Sequence, residues 1–237
     1  MPTPPSNTVR PTTLHRSSSG EPMKLTMEFK EHALGEGKLI YIPNWADDPE
    51  MLYREAKKLS FTPETVTMFQ KSTVIERQTV DYGLPYEYNK TAKPSIEWEP
   101  LALAIKQKLE SQLGRTLVQC ACNYYVSPTA YIGCHCDKST PVNGVSTAPN
   151  LIVSLSLGSL RQMALRPLRP GREGKDSPAF KTMSEVRREK DAIVLDLEPG
   201  SLVIFDGIVN HTWKHAIPQA ENKSAAGDRI SLTYREF

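Results

Sequence analysis

The chain has 237 residues and a formal charge of +2, from 29 Lys and Arg against 27 Asp and Glu; that balance is too small to mark a nucleic-acid binder by itself. Hydrophobic residues make up 39% and charged residues 24%, the composition of an ordinary globular protein rather than a fibrous or disordered one. No apolar run reaches membrane-spanning length and the N-terminus lacks the apolar core of a secretory signal, so an intracellular monomer (nucleus, cytoplasm or an organelle) with free thiols and no membrane partner is expected.

Residues 1–22 are rich in Pro, Ser and Thr and hold almost no large apolar side chains. Such a segment cannot bury enough surface to offset its ordering entropy, so a disordered tail is expected. Arg10 and Arg16, with no acid before Glu21, hint faintly at an organelle transit peptide, but five prolines oppose an amphipathic helix. The rest, 23–237, reads as one domain.

Its first part, 23–115, opens with a strand in "KLIYIPNW" that ends at Pro43. Asp47, Asp48 and Pro49 start a helix expected to run to about Leu59. Residues 73–88 suggest strands around a turn at Gly83-Leu84-Pro85. Leu101, Ile105, Leu109 and Leu113 recur every fourth position in a helix from about Pro100, which Gly114 stops.

From 116 to 237 the chain is a series of short apolar runs: "TLVQCACNYY", "YIGCHCD", "NLIVSLSLG", "QMALRP", "DAIVLDLE", "GSLVIFDG", "HTWKHAIP" and "RISLTYREF". Many short strands separated by turn residues predict a sandwich or jelly roll rather than a parallel sheet. The polar stretch between Pro167 and Lys190 holds Gly and Pro and is expected to include a mobile surface loop.

His135 and Asp137 are separated by one residue, so on a strand both point to one face and can reach one ion. Two imidazoles and one carboxylate on one side of an octahedral ion leave three positions open, the arrangement of iron(II) enzymes that bind a co-substrate and oxygen together. His211 and His215 both qualify as the third ligand, and spacing does not choose between them. A rival four-thiolate zinc site from Cys120, Cys122, Cys134 and Cys136 is disfavoured. Strand alternation turns Cys134 and Cys136 away from His135 and Asp137, and structural zinc pairs have wider spacing.

Six segments in order carry a further reading: Asn123-Tyr124-Tyr125, His135-Cys136-Asp137, Leu151–Ser159, Gly200-Ser201-Leu202, His215-Ala216-Ile217-Pro218, and Arg229 with Arg235. Together with "ERQTVDYGLPYEY" they resemble the AlkB family of iron(II)- and 2-oxoglutarate-dependent nucleic-acid dealkylases, over about residues 74–237. The resemblance implies an α+β, β-dominated fold: a double-stranded β-helix (jelly roll) with N-terminal helices and substrate-side strands packed on it. It implies His215 as the third ligand, with Arg235 among the catalytic group. Arg229 would grip the distal carboxylate of 2-oxoglutarate, assisted by Asn123, Tyr125 and Ser231; a guanidinium suits this because it offers parallel donors. The implied cofactors are iron(II), 2-oxoglutarate and O2, and the implied partner is DNA or RNA carrying alkylated bases. Hydroxylation of an N-methyl group would release formaldehyde, with succinate and carbon dioxide as co-products. An oxygenase of the same scaffold acting on a protein side chain or small molecule is the alternative.

A base within a duplex must be flipped out or presented single-stranded, which calls for stacking groups. Tyr82, Tyr86, Tyr88 and Phe69, with Met68, are the candidates for a nucleobase lid. Arg187 and Arg188, together with Arg161, Arg166, Arg169, Arg172, Lys175, Lys181 and Lys190, are candidates for phosphate contact. Lys138-Ser139 stands where several DNA-repair members carry acidic residues, and Ser231 where relatives often have Asn.

Overall fold

The computed structural model describes residues 8–9, 28–68, 71–88, 91–93, 96–142, 145–168 and 179–237; the side chains of 8–9, 66–68, 71–72, 86–88 and 91–93 are outside the description. The N-terminal part holds β1 (Thr8–Val9), β2 (Lys30–Leu34), β3 (Gly37–Ile42), α1 (Pro49–Ala56), β4 (Thr62–Met68), β5 (Lys71–Gly83), β6 (Tyr86–Tyr88), β7 (Thr91–Lys93) and α2 (Pro100–Leu113). Then come β8 (Gln119–Tyr125), β9 (Ile132–His135), β10 (Thr140–Val142), β11 (Val145–Thr147), β12 (Leu151–Gly158) and β13 (Arg161–Pro167). The chain closes with α3 (Met183–Val186), β14 (Ile193–Leu197), β15 (Leu202–Asp206), α4 (Gly207–Thr212), β16 (Trp213–Ile217) and β17 (Arg229–Glu236).

Two antiparallel sheets face each other. The larger has the order β1-β2-β3-β15-β12-β17-β8-β5-β4, the smaller β14-β13-β16-β9. The expected jelly roll is what forms, with its strands where the apolar runs placed them. Between the sheets lies a core of Ile152, Met163, Leu165, Leu195, Val203, Phe205 and Ile217. The outer face of the larger sheet is covered by the two long helices. Asp48 caps α1 by accepting from Met51 N at 2.8 Å, and Pro49 takes the first helical position. α2 ends at Gly114, whose φ of 63° is the left-handed conformation a side chain disfavours. Ile105 and Leu109 of α2 pack with Leu155, Leu232 and Tyr234, and the Tyr234 hydroxyl donates to Ala102 O at 2.9 Å.

The structure adds two pairings to this scaffold and corrects one expectation about it. Thr8–Val9, inside the segment expected to be disordered, pair with Lys30 and Glu31, giving the exposed edge of β2 a partner for its backbone groups. The remaining residues of the 1–22 tail lie outside the described residues. The stretch expected to include a mobile loop is anchored at its C-terminal end. Phe180, Met183 and Val186, three apart, cover Ala164 and Ala216 on the outer face of the smaller sheet. Thr182 accepts from Glu185 N at 3.4 Å and Glu185 accepts from Lys181 N at 2.8 Å, a capping pattern visible in the sequence as Thr-x-x-Glu. The corrected expectation is the start of "HTWKHAIP": its first two residues, His211 and Thr212, end α4, and the strand begins at Trp213. Asp206 caps that helix by accepting from Val209 N at 2.9 Å.

Candidate active site

The larger sheet presents its inner face in register. Arg77, Tyr125 and Arg229 form one row across β5, β8 and β17; Thr79, Asn123 and Ser231 form the next, and Asp81, Ala121 and Thr233 the one after. Every second residue faces inward because strand side chains alternate. All of these line one cavity together with Glu64, Ser154 and Arg235. The smaller sheet closes it with Ile132, His135, Met163, His215 and Ile217.

At the end of that cavity His135, Asp137 and His215 converge, with one donor atom of each within 4.8 Å of the others. β16 pairs with β9 so that His215 stands directly opposite His135, and their rings lie 4.4 Å apart. His135 Nδ1 lies 2.8 Å from Gly133 O, which fixes that nitrogen as the N–H and leaves Nε2 as a lone pair facing the site. His135 Nε2 is 3.6 Å and His215 Nε2 3.7 Å from the same oxygen, Asp137 Oδ1. The other carboxylate oxygen, Oδ2, accepts from Arg235 Nε at 2.8 Å, and Arg235 Nη1 donates to Gln119 Oε1 at 3.1 Å. Asn210, from α4, clamps the Asp137 backbone from both sides. Asp137 N donates to Asn210 Oδ1 at 2.8 Å, and Asn210 Nδ2 donates to Asp137 O at 2.9 Å.

The electrostatics suit a cation. Burial, reinforced by the neighbouring His215, lowers the His135 pKa to about 3, and burial lowers that of His215 as well; both imidazoles are neutral ligands at neutral pH. Burial alone would raise the Asp137 carboxyl, but Arg235 and the two imidazoles outweigh it and hold the acid well below the usual carboxylate range. Two neutral nitrogens and a carboxylate, with the cavity open on one side, fit a divalent iron that keeps free positions.

Further along the cavity, Arg229 is buried and its charge is disfavoured by burial. Its Nη2 donates to Ser156 Oγ at 2.8 Å and its guanidinium lies 5.2 Å from the Tyr125 ring centre. Among the described residues its Nε and Nη1 are buried without a hydrogen-bond partner. Buried donors of this kind carry a cost unless a ligand takes them up, and a carboxylate is the acceptor that fits a guanidinium best.

The structure gathers some of the residues singled out in the sequence and separates others. His135, Asp137, His215, Arg235, Asn123, Tyr125, Arg229 and Ser231 all line the cavity. His211 is exposed on α4, outside that cavity, because the helix turns it away from His215. The cysteines assemble no zinc site among the described residues. Cys120 and Cys122 are buried in the core beneath the helices, and Cys134 packs on the outer face of the smaller sheet. Tyr82 lies away from the cavity. It faces the opposite side of β5 from Arg77, Thr79 and Asp81, fully buried against Trp98, and its hydroxyl donates to Glu99 at 2.9 Å. Arg187 and Arg188 follow α3 behind the smaller sheet, away from the cavity, where Arg187 pairs with Glu221. Arg161 and Arg166 are buried within the fold. Phe69, Arg169, Arg172 and Lys175 lie outside the described residues, as do the side chains of Met68, Tyr86 and Tyr88. Sequence reasoning missed Glu64, Arg77 and Asn210. The Asp206-Gly207 helix start was the local signal for Asn210. Glu64 and Arg77 carry none, since only the pairing of β4 with β5 brings them in.

Comparison with known proteins fits this geometry. Residues 39–235 match the model of the 2OG-Fe(II) oxygenase superfamily, and the chain belongs to that superfamily, whose cofactors are iron(II), 2-oxoglutarate and oxygen. Within it the chain is AlkB-like. It is 29% identical over 161 residues to the "Alpha-ketoglutarate-dependent dioxygenase alkB homolog 3" of Rattus norvegicus, covering 67% of this chain and 49% of that protein. It is 27% identical over 236 residues to the "DNA oxidative demethylase ALKBH2" of Arabidopsis thaliana, covering 92% of this chain and 71% of that protein. The chain thus spans about half the length of the alkB homolog 3 proteins it matches. The solved structure of OsALKBH1 shares the fold, with a TM-score of 0.51 at 18% identity over 84% of this chain and 97% of that one.

Proposed function

We propose that the protein is an iron(II)- and 2-oxoglutarate-dependent oxidative demethylase of N-alkylated bases in DNA or RNA. The observation that carries the oxygenase reading is the joining of two features in one cavity: the His135/Asp137/His215 cluster and the buried Arg229 with two unmet donors. The nucleic-acid part rests on the similarity to proteins named for that activity.

Each residue has a task in this reading. His135 Nε2, His215 Nε2 and an Asp137 oxygen would hold iron(II). Arg235 neutralises the far side of Asp137 and fixes its rotamer, so the ligand oxygen stays aimed at the imidazoles. Arg229 would pair with the distal carboxylate of 2-oxoglutarate. Asn123 and the Tyr125 hydroxyl would donate to the same molecule, and Ser231 borders it in the row that Asn123 occupies. The apolar walls of Ile132, Ile152, Met163, Phe205 and Ile217 keep bulk water from the reacting carbon. Iron, when bound, supplies the oxidative decarboxylation of 2-oxoglutarate that hydroxylates the N-methyl carbon. The resulting hemiaminal loses formaldehyde and restores the base.

The substrate side gives the reading less support than the sequence promised, because Tyr82, Arg187 and Arg188 are placed elsewhere in the fold. The second reading, oxygenation of a protein side chain or small molecule, is favoured by that placement. One experiment decides between them. The protein is loaded anaerobically with iron(II) and 2-oxoglutarate, then given oxygen with a panel of methylated DNA and RNA oligonucleotides. Formaldehyde release from at least one oligonucleotide is expected. Succinate formed with a peptide or metabolite, and no formaldehyde from any oligonucleotide, would move the substrate to the second class.

A further inference from the structure

Arg77 and Glu64 form an ion pair inside the cavity, with side chains only 4% and 5% exposed. Arg77 Nη2 donates to Glu64 Oε2, while Nη1 donates to Asn123 Oδ1 at 3.0 Å. All three residues line the cavity that holds the His135/Asp137/His215 cluster. A guanidinium has only donors, so it meets the Asn123 amide at its oxygen and leaves the amide nitrogen as that residue's remaining polar group. A neighbour with only donors thereby selects one of the two amide orientations. Register places Asn123 beside Ser231 and one row from Arg229, the part of the cavity assigned above to 2-oxoglutarate.

We propose that Arg77, held by Glu64, is a positioning residue for co-substrate binding: it turns the Asn123 amide so that its nitrogen donates to 2-oxoglutarate. The inference rests on the reading that this cavity binds 2-oxoglutarate. Its consequence is that docking of β4 onto β5, which brings Glu64 to Arg77, sets the geometry of a co-substrate contact on β8. A pair that merely fastened β4 to β5 would stabilise the fold without reference to Asn123.

The test measures binding rather than turnover. Manganese(II), which does not support the oxidation, is loaded in place of iron, and the 2-oxoglutarate analogue N-oxalylglycine is titrated by calorimetry. Arg77→Lys keeps the charge beside Glu64 but loses the fork that reaches both partners. It should weaken analogue binding by about tenfold, the worth of one well-placed hydrogen bond. The affinity for manganese itself should change by less than about twofold. In an Asn123→Ala background, Arg77→Lys should add less than about twofold, because the group it positions is gone. If Arg77→Lys fails to fold, the uncharged pair Glu64→Leu with Arg77→Met is measured against Asn123→Ala in the same way. Unchanged binding in the Arg77 variants, or a full loss on top of Asn123→Ala, overturns the proposal while leaving the co-substrate assignment intact. Failure of the unaltered, manganese-loaded protein to bind the analogue would overturn that assignment first, and this inference with it.

Discussion

Two arginines stand on either side of Tyr125 in one row of the larger sheet, and they are provided for differently. Arg77, on the β5 side, is paired with a buried carboxylate and bonded to an amide oxygen. Arg229, on the β17 side, has a hydroxyl and an aromatic face but no acidic partner among the described residues. Burying a cation without a counter-charge costs several kcal/mol; Arg161 meets that cost with the carbonyls of Ala130 and Pro218, whereas Arg229 lines the cavity, where an anion could meet it. The β4–β5 wall thus carries its own counter-charge, whereas the β17 wall turns Arg229 to the cavity without one among the described residues.

The comparison presupposes that the cavity is organised around a metal, and the largest expected effect tests that. His215→Ala should abolish stoichiometric iron binding and reduce turnover below detection, since it removes one of three ligands. His211→Ala, four residues away, should leave metal content and turnover unchanged. Loss of iron in the His211 variant with retention in the His215 variant would reverse the assignment.

Next in size is the contrast between the arginines themselves. Arg77→Met removes the cation of the buried ion pair with Glu64 and should destabilise the protein by about 3–5 kcal/mol, a fall in Tm of roughly 10 °C for a chain of this length. Arg229→Met removes a buried charge that no acid among the described residues balances, so the metal-free protein should melt at the same temperature or up to a few degrees higher. The same variant should lose the rise in Tm that N-oxalylglycine gives the manganese-loaded parent. Equal destabilisation by the two substitutions would mean that both arginines are ordinary structural cations.

How much of this was legible in the chain follows from how local each signal is. The repeat of Leu101, Ile105, Leu109 and Leu113, closed by Gly114, lies within one helix, and the structure gives that helix the same bounds. His135 and Asp137 lie two apart, and the Asn123, His215 and Arg229 motifs each sit within one strand, so a resemblance in order sufficed to gather them. Tyr82 was misread because its face depends on which residues of β5 point inward. Arg77, Thr79 and Asp81 settle that, but their role appears only once β5 lies beside β8. Glu64 reaches Arg77 across a strand pair, and Asn210 reaches Asp137 from a helix 73 residues later. Contacts of that separation leave no periodicity to read. The register shift between Pro63 and Thr65 makes alternation an unsafe guide even within β4.

The smallest expected effect sharpens the contrast at its closest point. The acid nearest Arg229 in the chain is Asp228, yet it faces the other side of the sheet. It accepts from the Tyr124 hydroxyl at 2.5 Å, from the Tyr53 hydroxyl and from Lys57 Nζ at 3.0 Å. Tyr124 and Asp228 point outward where Tyr125 and Arg229 point inward, so alternation itself denies Arg229 its neighbouring carboxylate. Burial alone would raise the Asp228 pKa, but the hydrogen bonds from Tyr124, Tyr53 and Lys57 bring it down to about 2, below the ordinary 3.8. A depressed folded-state pKa means that the stabilisation is complete above about pH 4 and drains away as pH falls through 2. Asp228→Asn should therefore cost about 1 kcal/mol at neutral pH, reduced by the partial exposure of the site. The stability gap between variant and parent should close as the pH is lowered from about 4 to 2, followed by chemical denaturation at each pH. Binding of N-oxalylglycine should be unchanged within about twofold, because the carboxylate lies outside the cavity. A tenfold loss of analogue binding with no change in stability would show that Asp228 acts on Arg229 through the strand, and the division between an outward acid and an inward, ligand-seeking arginine would not hold.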